Sequence, residues 1–563
     1  MSSARRAVDK IRRGQFKALA VGIASLRLPA DRTPPNSAVD MPDGNGPALI
    51  TVWRWWVGPA LLSLALALAF LDPFAGEWDA LDYTVLSVRG EPSSMILGRG
   101  LFIGLNHVLW LTAHTLLGLP LEKAYLLFKY AVVAQTPLAI IACWALAREL
   151  TASVAAATIA ALLLATSPFF IVYSGQVMTE IPAVLLLCVA LTMHLRGVRQ
   201  RRMWLVMAGA GLLGLSVNVR ELALCYAPWL VLAPIACGWR LGRRELTLTG
   251  LACLVFLGCA FGGFALWWLA DVGAYRSHWL EWVWSSQREA ARHPVTLGNL
   301  RPLLLYFLLA APLVAVAVPF AAVLEWRRAR GLSPLLALAL VGLFSDLVLL
   351  LHYSLPLNWR YLLTGLPALV PLVADFFMRS QTKLLGSERR AFVSVLLGVI
   401  CISVLSSRLT WPISREYVAM RALTKDYRER LAVVPHDAVM ISGSQSIAVN
   451  YWRGLGTGAW DAIGTGGGWP GAHLAASIDG YLKADRRVFL DTDARWWSPC
   501  GWQAAEVREL AAIEDSFRFR RVTDTIYELR PLTDASAHDD AAMLGKLLPE
   551  SRPEEVKACS GAE

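Results

Sequence analysis

The chain has 563 residues, a formal net charge of +10 and a mean hydropathy of +0.47, with 56% hydrophobic but only 17% charged residues. Soluble domains carry about 25% charged residues, so lipid rather than water is the main solvent of this chain. Its basic residues sit in short clusters between apolar runs instead of forming one basic face, which excludes nucleic acid as a partner and points to membrane topology.

Residues 1–50 are basic, polar and Pro-containing, with no apolar core placed like a signal peptide, and read as a disordered cytoplasmic tail. Eleven apolar runs follow, at 51–71, 125–146, 153–173, 177–195, 203–219, 222–237, 248–270, 303–324, 335–351, 361–377 and 392–405. Each lies near the roughly 20 residues a helix needs to cross the hydrocarbon core. A twelfth run, 101–118, is interrupted by Asn106, His107 and His114.

Charge decides how that run is counted. Arg196/Arg199/Arg201/Arg202, Arg240/Arg243/Arg244, Arg327/Arg328/Arg330 and Arg379/Lys383/Arg389/Arg390 are separated by pairs of runs, so all four clusters share one side. The N-terminal tail joins them in the cytoplasm only if 101–118 does not cross. That run is therefore predicted to be an outer juxtamembrane helix in the interface. The expected fold is an all-α membrane bundle of about eleven spans over 51–408, with a first outer loop at 72–120. Trp279, Trp282 and Trp284 in the fourth outer loop suit interface anchoring.

Beyond the last run, short β-type segments at 438–441, 487–490 and 525–529 alternate with helical patterns such as 504–513. Residues 409–533 are thus predicted to form a small extracytoplasmic α/β domain, and 534–563 a disordered tail. The Gly-rich stretch 464–468 and Gly443-Ser-Gln-Ser446 lack the context of phosphate-binding or hydrolase motifs and read as loops. Seven cysteines lie inside apolar runs and read as small buried hydrophobes, while Cys500 and Cys559 lie outside them and could pair in an oxidising compartment. No metal-binding spacing is present, so neither metal nor cofactor is expected.

The unusual polar residues all gather on the outer side. The first loop carries Glu77, Asp79 and Asp82, which are either solvated charge or a base held in a partly dry cavity. Glu180 stands at the outer end of a run, where it could snorkel to water. Arg220 and Glu221 are either a local ion pair or a cation facing a cavity, suited to phosphate. Arg360-Tyr361 opens a run whose helix dipole disfavours a cation, so an anion is expected beside it.

With these residues in place the chain resembles the C-type glycosyltransferase superfamily, closest in pattern to the aminoarabinose-transferase and protein O-mannosyltransferase group. The acidic motif after the first span reads Asp79-Ala80-Leu81-Asp82-Tyr83, followed by the apolar juxtamembrane run. Glu180 with Pro182 and Arg360-Tyr361 with Pro367 follow in the family's order. The family's second acidic position is Ala80 here, and its Lys-Pro-Pro segment is replaced by Leu97-Gly-Arg-Gly-Leu101, where Arg99 supplies a cation. The resemblance implies an inverting transferase in a bacterial cytoplasmic membrane, N-terminus inside and C-terminal domain outside. It would move a sugar from a polyprenyl-phosphate donor to an extracytoplasmic acceptor: a glycolipid, polysaccharide or protein. By position, Asp79 is the candidate base with Asp82 and Glu77 as helpers, and Arg220 and Arg360 are candidate phosphate contacts. Tyr83, Arg99, Glu180, Glu221 and Tyr361 complete the candidate substrate-binding set. A transporter or lipid flippase is the alternative, and Asp346 and Asp375 within late runs are the residues that favour it.

Overall fold

The computed structural model describes residues 49–71, 78–93, 97–239, 242–271, 300–348, 359–406, 437–442, 462–464, 471–492 and 516–533, with short stretches between them. Glu77, the 504–512 segment, Cys500, Cys559, Gly443 to Ser446, residues 465–468 and both expected tails beyond these bounds lie outside the described residues.

Every predicted apolar run carries helix. In chain order these are α1 (Leu49–Ala69), α2 (Trp78–Arg89), α3 (Gly100–Leu117), α4 (Ala124–Thr151), α5 (Val154–Ala165), α6 (Pro168–Ser174), α7 (Glu180–Gln200) and α8 (Met203–Val217). Then come α9 (Trp229–Ala236), α10 (Arg243–Ala270), α11 (Leu300–Ala310), α12 (Pro312–Ala329), α13 (Pro334–Val348), α14 (Leu366–Leu385) and α15 (Glu388–Ser406). Among the described residues five helices are long and apolar enough to cross a membrane, or seven if each bent pair is one span. α3 is one of the five by length and composition, although only 28% of it is buried.

The remaining runs are shorter or broken, and the breaks have local causes. Between α5 and α6 the axis turns by 65°, where Ser167 caps the amide of Phe170 and Pro168 opens the new helix. α11 and α12 meet at 106°, where Pro312 follows the extended Ala311. The run expected at 222–237 starts as a 3-10 turn, Glu221–Tyr226, and becomes α-helical only after Pro228. Likewise the 361–377 run begins with a 3-10 segment, Trp359–Thr364, before α14.

Glycines set the closest helix packing. A Cβ at Gly197 or Gly209 would stand 2.6 or 2.5 Å from backbone of α8 or α7, and one at Gly214 would stand 2.4 Å from the Phe256 carbonyl on α10. Backbones brought this near exchange dispersion contacts that lipid cannot replace. The seven described cysteines are free thiols, Cys143 and Cys188 fully buried.

The C-terminal sheet has strands β1 (Val439–Ser442), β2 (Ala462–Gly464), β3 (Val488–Asp491), β4 (Phe517–Arg521) and β5 (Ile526–Pro531), in the order β2-β1-β3-β5-β4. β1 pairs in parallel with β2 and β3, whereas β5 lies antiparallel between β3 and β4. Leu474 and Ile478 of α16 (Gly471–Lys483) join Val439, Ile441, Val488, Leu490, Phe519 and Leu529 in one core. The alternating residues of β4 send Phe517 and Phe519 inward and leave Arg520 outside.

Candidate active site

The acidic motif expected in a loop is helical. Trp78–Arg89 forms α2, and the acidic Asp79 in its first turn complements the positive end of the helix dipole. The helical period then places Asp79 and Tyr83 one turn apart on the same face. The Tyr83 hydroxyl lies 3.4 Å from Asp79 Oδ2 and donates to it. Asp82 follows three residues after Asp79, close enough for the two carboxylates to repel.

Four remote segments converge on that helix. Arg360, in the 3-10 turn before α14, pairs with Asp79 through Nη2. Its Nε also lies 3.3 Å from Glu180 Oε1 at the start of α7. Arg220 approaches the same Glu180 oxygen at 3.1 Å through Nη1, which donates to Thr179 Oγ1 at 2.9 Å. Tyr361 covers Arg220, with the guanidinium carbon 4.0 Å from the ring centroid. From the turn before α3, Arg99 stacks over Tyr83 at 5.4 Å.

Two alternatives that the sequence leaves open are decided here. Glu180 does not snorkel to water: its side chain is 1% exposed, because two guanidinium groups compensate the buried charge. Arg220 does not pair with its neighbour Glu221 but with Glu180, across 40 residues of chain. Glu221 instead packs against the turn at Gly98, where φ is +94° and a Cβ would sit 2.3 Å from Glu221 Oε2. Only glycine fits there, by backbone angle and by space.

The electrostatics of α2 separate its two acids. Burial acts to raise the Asp79 carboxyl, but the charges of Arg360, Arg99 and Arg220 overrule it and hold it below its ordinary value. Asp82 has no such partner set: burial, then the charge on Asp79, push it up to about 6 against the pull of Arg99. Burial also raises the Tyr83 phenol well above its usual range, so that it remains a hydrogen-bond donor.

Nine of the ten candidate site residues are therefore accounted for: Asp79, Asp82, Tyr83, Arg99, Glu180, Arg220, Arg360 and Tyr361 in one charge cluster and Glu221 against its edge. Thr179 is the contributor that sequence reasoning did not single out; its place beside Glu180 was the only signal. Arg220 Nε and Nη2 are buried and find no hydrogen-bond acceptor among the described residues. A phosphate oxygen would satisfy such donors. Among the described residues no group of three His, Cys, Asp or Glu side chains could hold a metal ion.

Residues 110–267 match the family model for dolichyl-phosphate-mannose-protein mannosyltransferases. Two crystal structures of ArnT from Cupriavidus metallidurans share the architecture over 98% of their length. The form bound to undecaprenyl phosphate is 14% identical over 86% of this chain with a TM-score of 0.52, and the apo form is 15% identical over 85% with 0.50. The archaeal oligosaccharyltransferase AglB from Archaeoglobus fulgidus, solved with an inhibitory peptide and a dolichol-phosphate, is 13% identical, covers 85% of this chain and 74% of its own, with a TM-score of 0.50. No curated protein sequence matches the chain. At such identities the likeness is one of fold. The chain shares the fold of these transferases, which is the fold the sequence resemblance implied.

Proposed function

We propose that this protein is a membrane glycosyltransferase that takes a sugar from a polyprenyl-phosphate donor and passes it to an extracytoplasmic acceptor with inversion. The observation that carries this reading is the Asp79–Arg360–Glu180–Arg220 chain of buried charges. A carboxylate that can accept a proton stands beside cations that can hold a phosphate leaving group.

In a single displacement the acceptor oxygen attacks the anomeric carbon while the bond to the phosphate oxygen breaks. The electron pair leaves on the phosphate, and the hydroxyl proton passes to a carboxylate. Asp79 is the base in this reading. While held on Arg360 it is a weak one, so the incoming phosphate has to compete for that guanidinium and release the carboxylate. Arg220 and Arg360 stabilise the departing negative charge, the part a metal ion plays elsewhere. Glu180 keeps the two arginines apart and oriented before the donor arrives.

The structural neighbours support the donor class by what they are bound to: undecaprenyl phosphate in ArnT and dolichol-phosphate in AglB. In the same reading α3 lies in the outer interface, eleven crossings give the chain its parity, and the C-terminal domain is extracytoplasmic. The bacterial cytoplasmic membrane is its place.

The experiment is product analysis after the purified protein is given a panel of polyprenyl-phosphate sugars and acceptors. Release of polyprenyl phosphate with transfer in the wild type, and none in Asp79→Asn at normal expression, is expected. Full turnover in Asp79→Asn would remove Asp79 from the mechanism. One observation favours transport instead: Asp346 of α13 is buried and neither of its carboxylate oxygens is hydrogen-bonded among the described residues. Accumulation of substrate in proteoliposomes lacking donor lipid would establish that alternative.

A further inference from the structure

Beside the Arg99 turn lies a cavity of about 310 Å³, lined by α3, α8, α10 and the segment Gly90 to Pro92 that follows α2. That volume is at the lower end of the roughly 300–1,000 Å³ found for small-ligand pockets. Most of its wall is apolar, yet Glu91, His107 and Asn218 reach it, and Trp267 presents an indole. We infer that this cavity is the acceptor site and that its occupant is a lipid-anchored hydroxyl compound, a glycolipid headgroup entering sideways from the bilayer. This rests on the glycosyl-transfer reading above and names the acceptor class for it.

The route of entry follows from exposure. Only 28% of α3 and 17% of the most apolar 18-residue stretch of α10 is buried, although both are strongly apolar. Leu105 and Val108 of α3, with Leu266 and Leu269 of α10, are among the more exposed aliphatic side chains. Such surfaces face acyl chains, so a molecule reaching the space between them comes from the lipid phase.

Glycines open the cavity. A Cβ at Gly104 would meet nothing within 4 Å, and one at Gly263 would meet only Asn218 Oδ1 at 3.9 Å. Gly90 serves differently. Its φ is +69° and its Cβ would stand 2.7 Å from the His107 ring, so glycine lets that imidazole lie across the chain. His107 Nδ1 is 2.7 Å from the Ser87 carbonyl oxygen. A carbonyl only accepts, so Nδ1 carries the proton and Nε2 is left to bond a ligand hydroxyl. An indole beside such a group suits a sugar, whose ring is apolar on its faces and polar at its edge.

The cavity also shares its walls with the charge cluster. Gly100 and Leu101 line it and directly follow Arg99, while Asn218 lines it two residues before Arg220. The Leu101 amide donates to the Asn218 carbonyl at 3.0 Å, which ties the two segments together. A headgroup held here stands against the backbone that positions Arg99 and Arg220.

The test fills the space without touching the charges. Gly104→Leu and Gly263→Leu, with Gly104→Ala as the milder change, are compared in nanodiscs. The probe is monoglucosyl diacylglycerol with brominated acyl chains, and phosphatidylcholine with the same chains is the control. Quenching that the glycolipid produces beyond the control, and that disappears in Trp267→Phe, reports occupancy. Both leucine variants are expected to weaken it at least tenfold and to raise the acceptor KM equally, with hydrolysis of the donor by water unchanged. Equal quenching in wild type and both variants, or an unchanged acceptor KM, would overturn the inference, as would efficient transfer to a soluble peptide that ignores both substitutions. If no polyprenyl-phosphate sugar is ever turned over, the glycosyl-transfer reading fails by itself, and the quenching comparison alone decides what the cavity takes.

Discussion

Arg360 and Asp79 stand 281 positions apart and form a direct ion pair, with the arginine side chain 8% exposed. The pair closes the charge cluster, because Arg360 also faces Glu180 and Glu180 faces Arg220. Removing any one member therefore redistributes charge over the others.

Replacing Arg360 by Gln is expected to lower kcat/KM for the polyprenyl-phosphate donor by about 10²–10³, the usual range for losing one preorganised donor at developing negative charge. Arg360→Lys restores part of it, since an ammonium keeps the charge but loses the forked geometry. Steady-state kinetics at saturating acceptor measure both. A donor dependence unchanged in Arg360→Gln would contradict phosphate binding at this residue.

Asp82 sets an expectation for pH. Its carboxyl is pushed up to about 6 by burial and by Asp79, so it is protonated below that value and charged above it. If its negative charge supports Asp79 as a base, the activity of the wild type falls as pH drops through about 6. Asp82→Asn should then lack that acidic limb. A limb that persists in Asp82→Asn would assign it to another group.

Glu180→Gln leaves Arg220 buried against Tyr361 and Thr179 without its carboxylate. Breaking a buried pair costs about 3–5 kcal/mol when one partner remains charged. The loss here should lie toward the lower end, because Arg360 keeps Asp79. A lower thermal midpoint in detergent is expected, with the double change Glu180→Gln and Arg220→Met recovering part of it. Additive losses would argue against the pairing.

In the C-terminal sheet Glu528 is buried beneath Arg487 at 2.7 Å, Arg530 at 3.2 Å and Arg520 at 3.5 Å. Burial opposes its ionisation, but the hydrogen bonds and charges of Arg487 and Arg530 win and lower its pKa below 4.5. Since the folded value lies below the unfolded one, this stabilisation is present above pH 4.5 and is lost as pH falls through the folded value. Amide exchange in β5 should accelerate in that acidic window in the wild type. In Glu528→Gln it should already be fast at neutral pH.

Much of this protein was legible without coordinates. Apolar runs have to be helical in lipid, where unpaired backbone groups are too costly, so the helices were fixed locally. The β-type segments near the C-terminus likewise matched strands β1, β3 and β5 because strand pattern is local. The candidate residues were legible as types, since a carboxylate or guanidinium beside an apolar run needs a compensating partner. Their partners were not. That Asp79 begins a helix, that Glu180 is shared by two arginines, and that Arg220 ignores Glu221 all depend on segments brought together by packing. The same holds for the cavity at His107, whose glycines and indole come from the turn after α2, from α3 and from α10. Local chemistry chose which groups must be paired, and only the tertiary structure, through close contact of remote backbones, decided with whom.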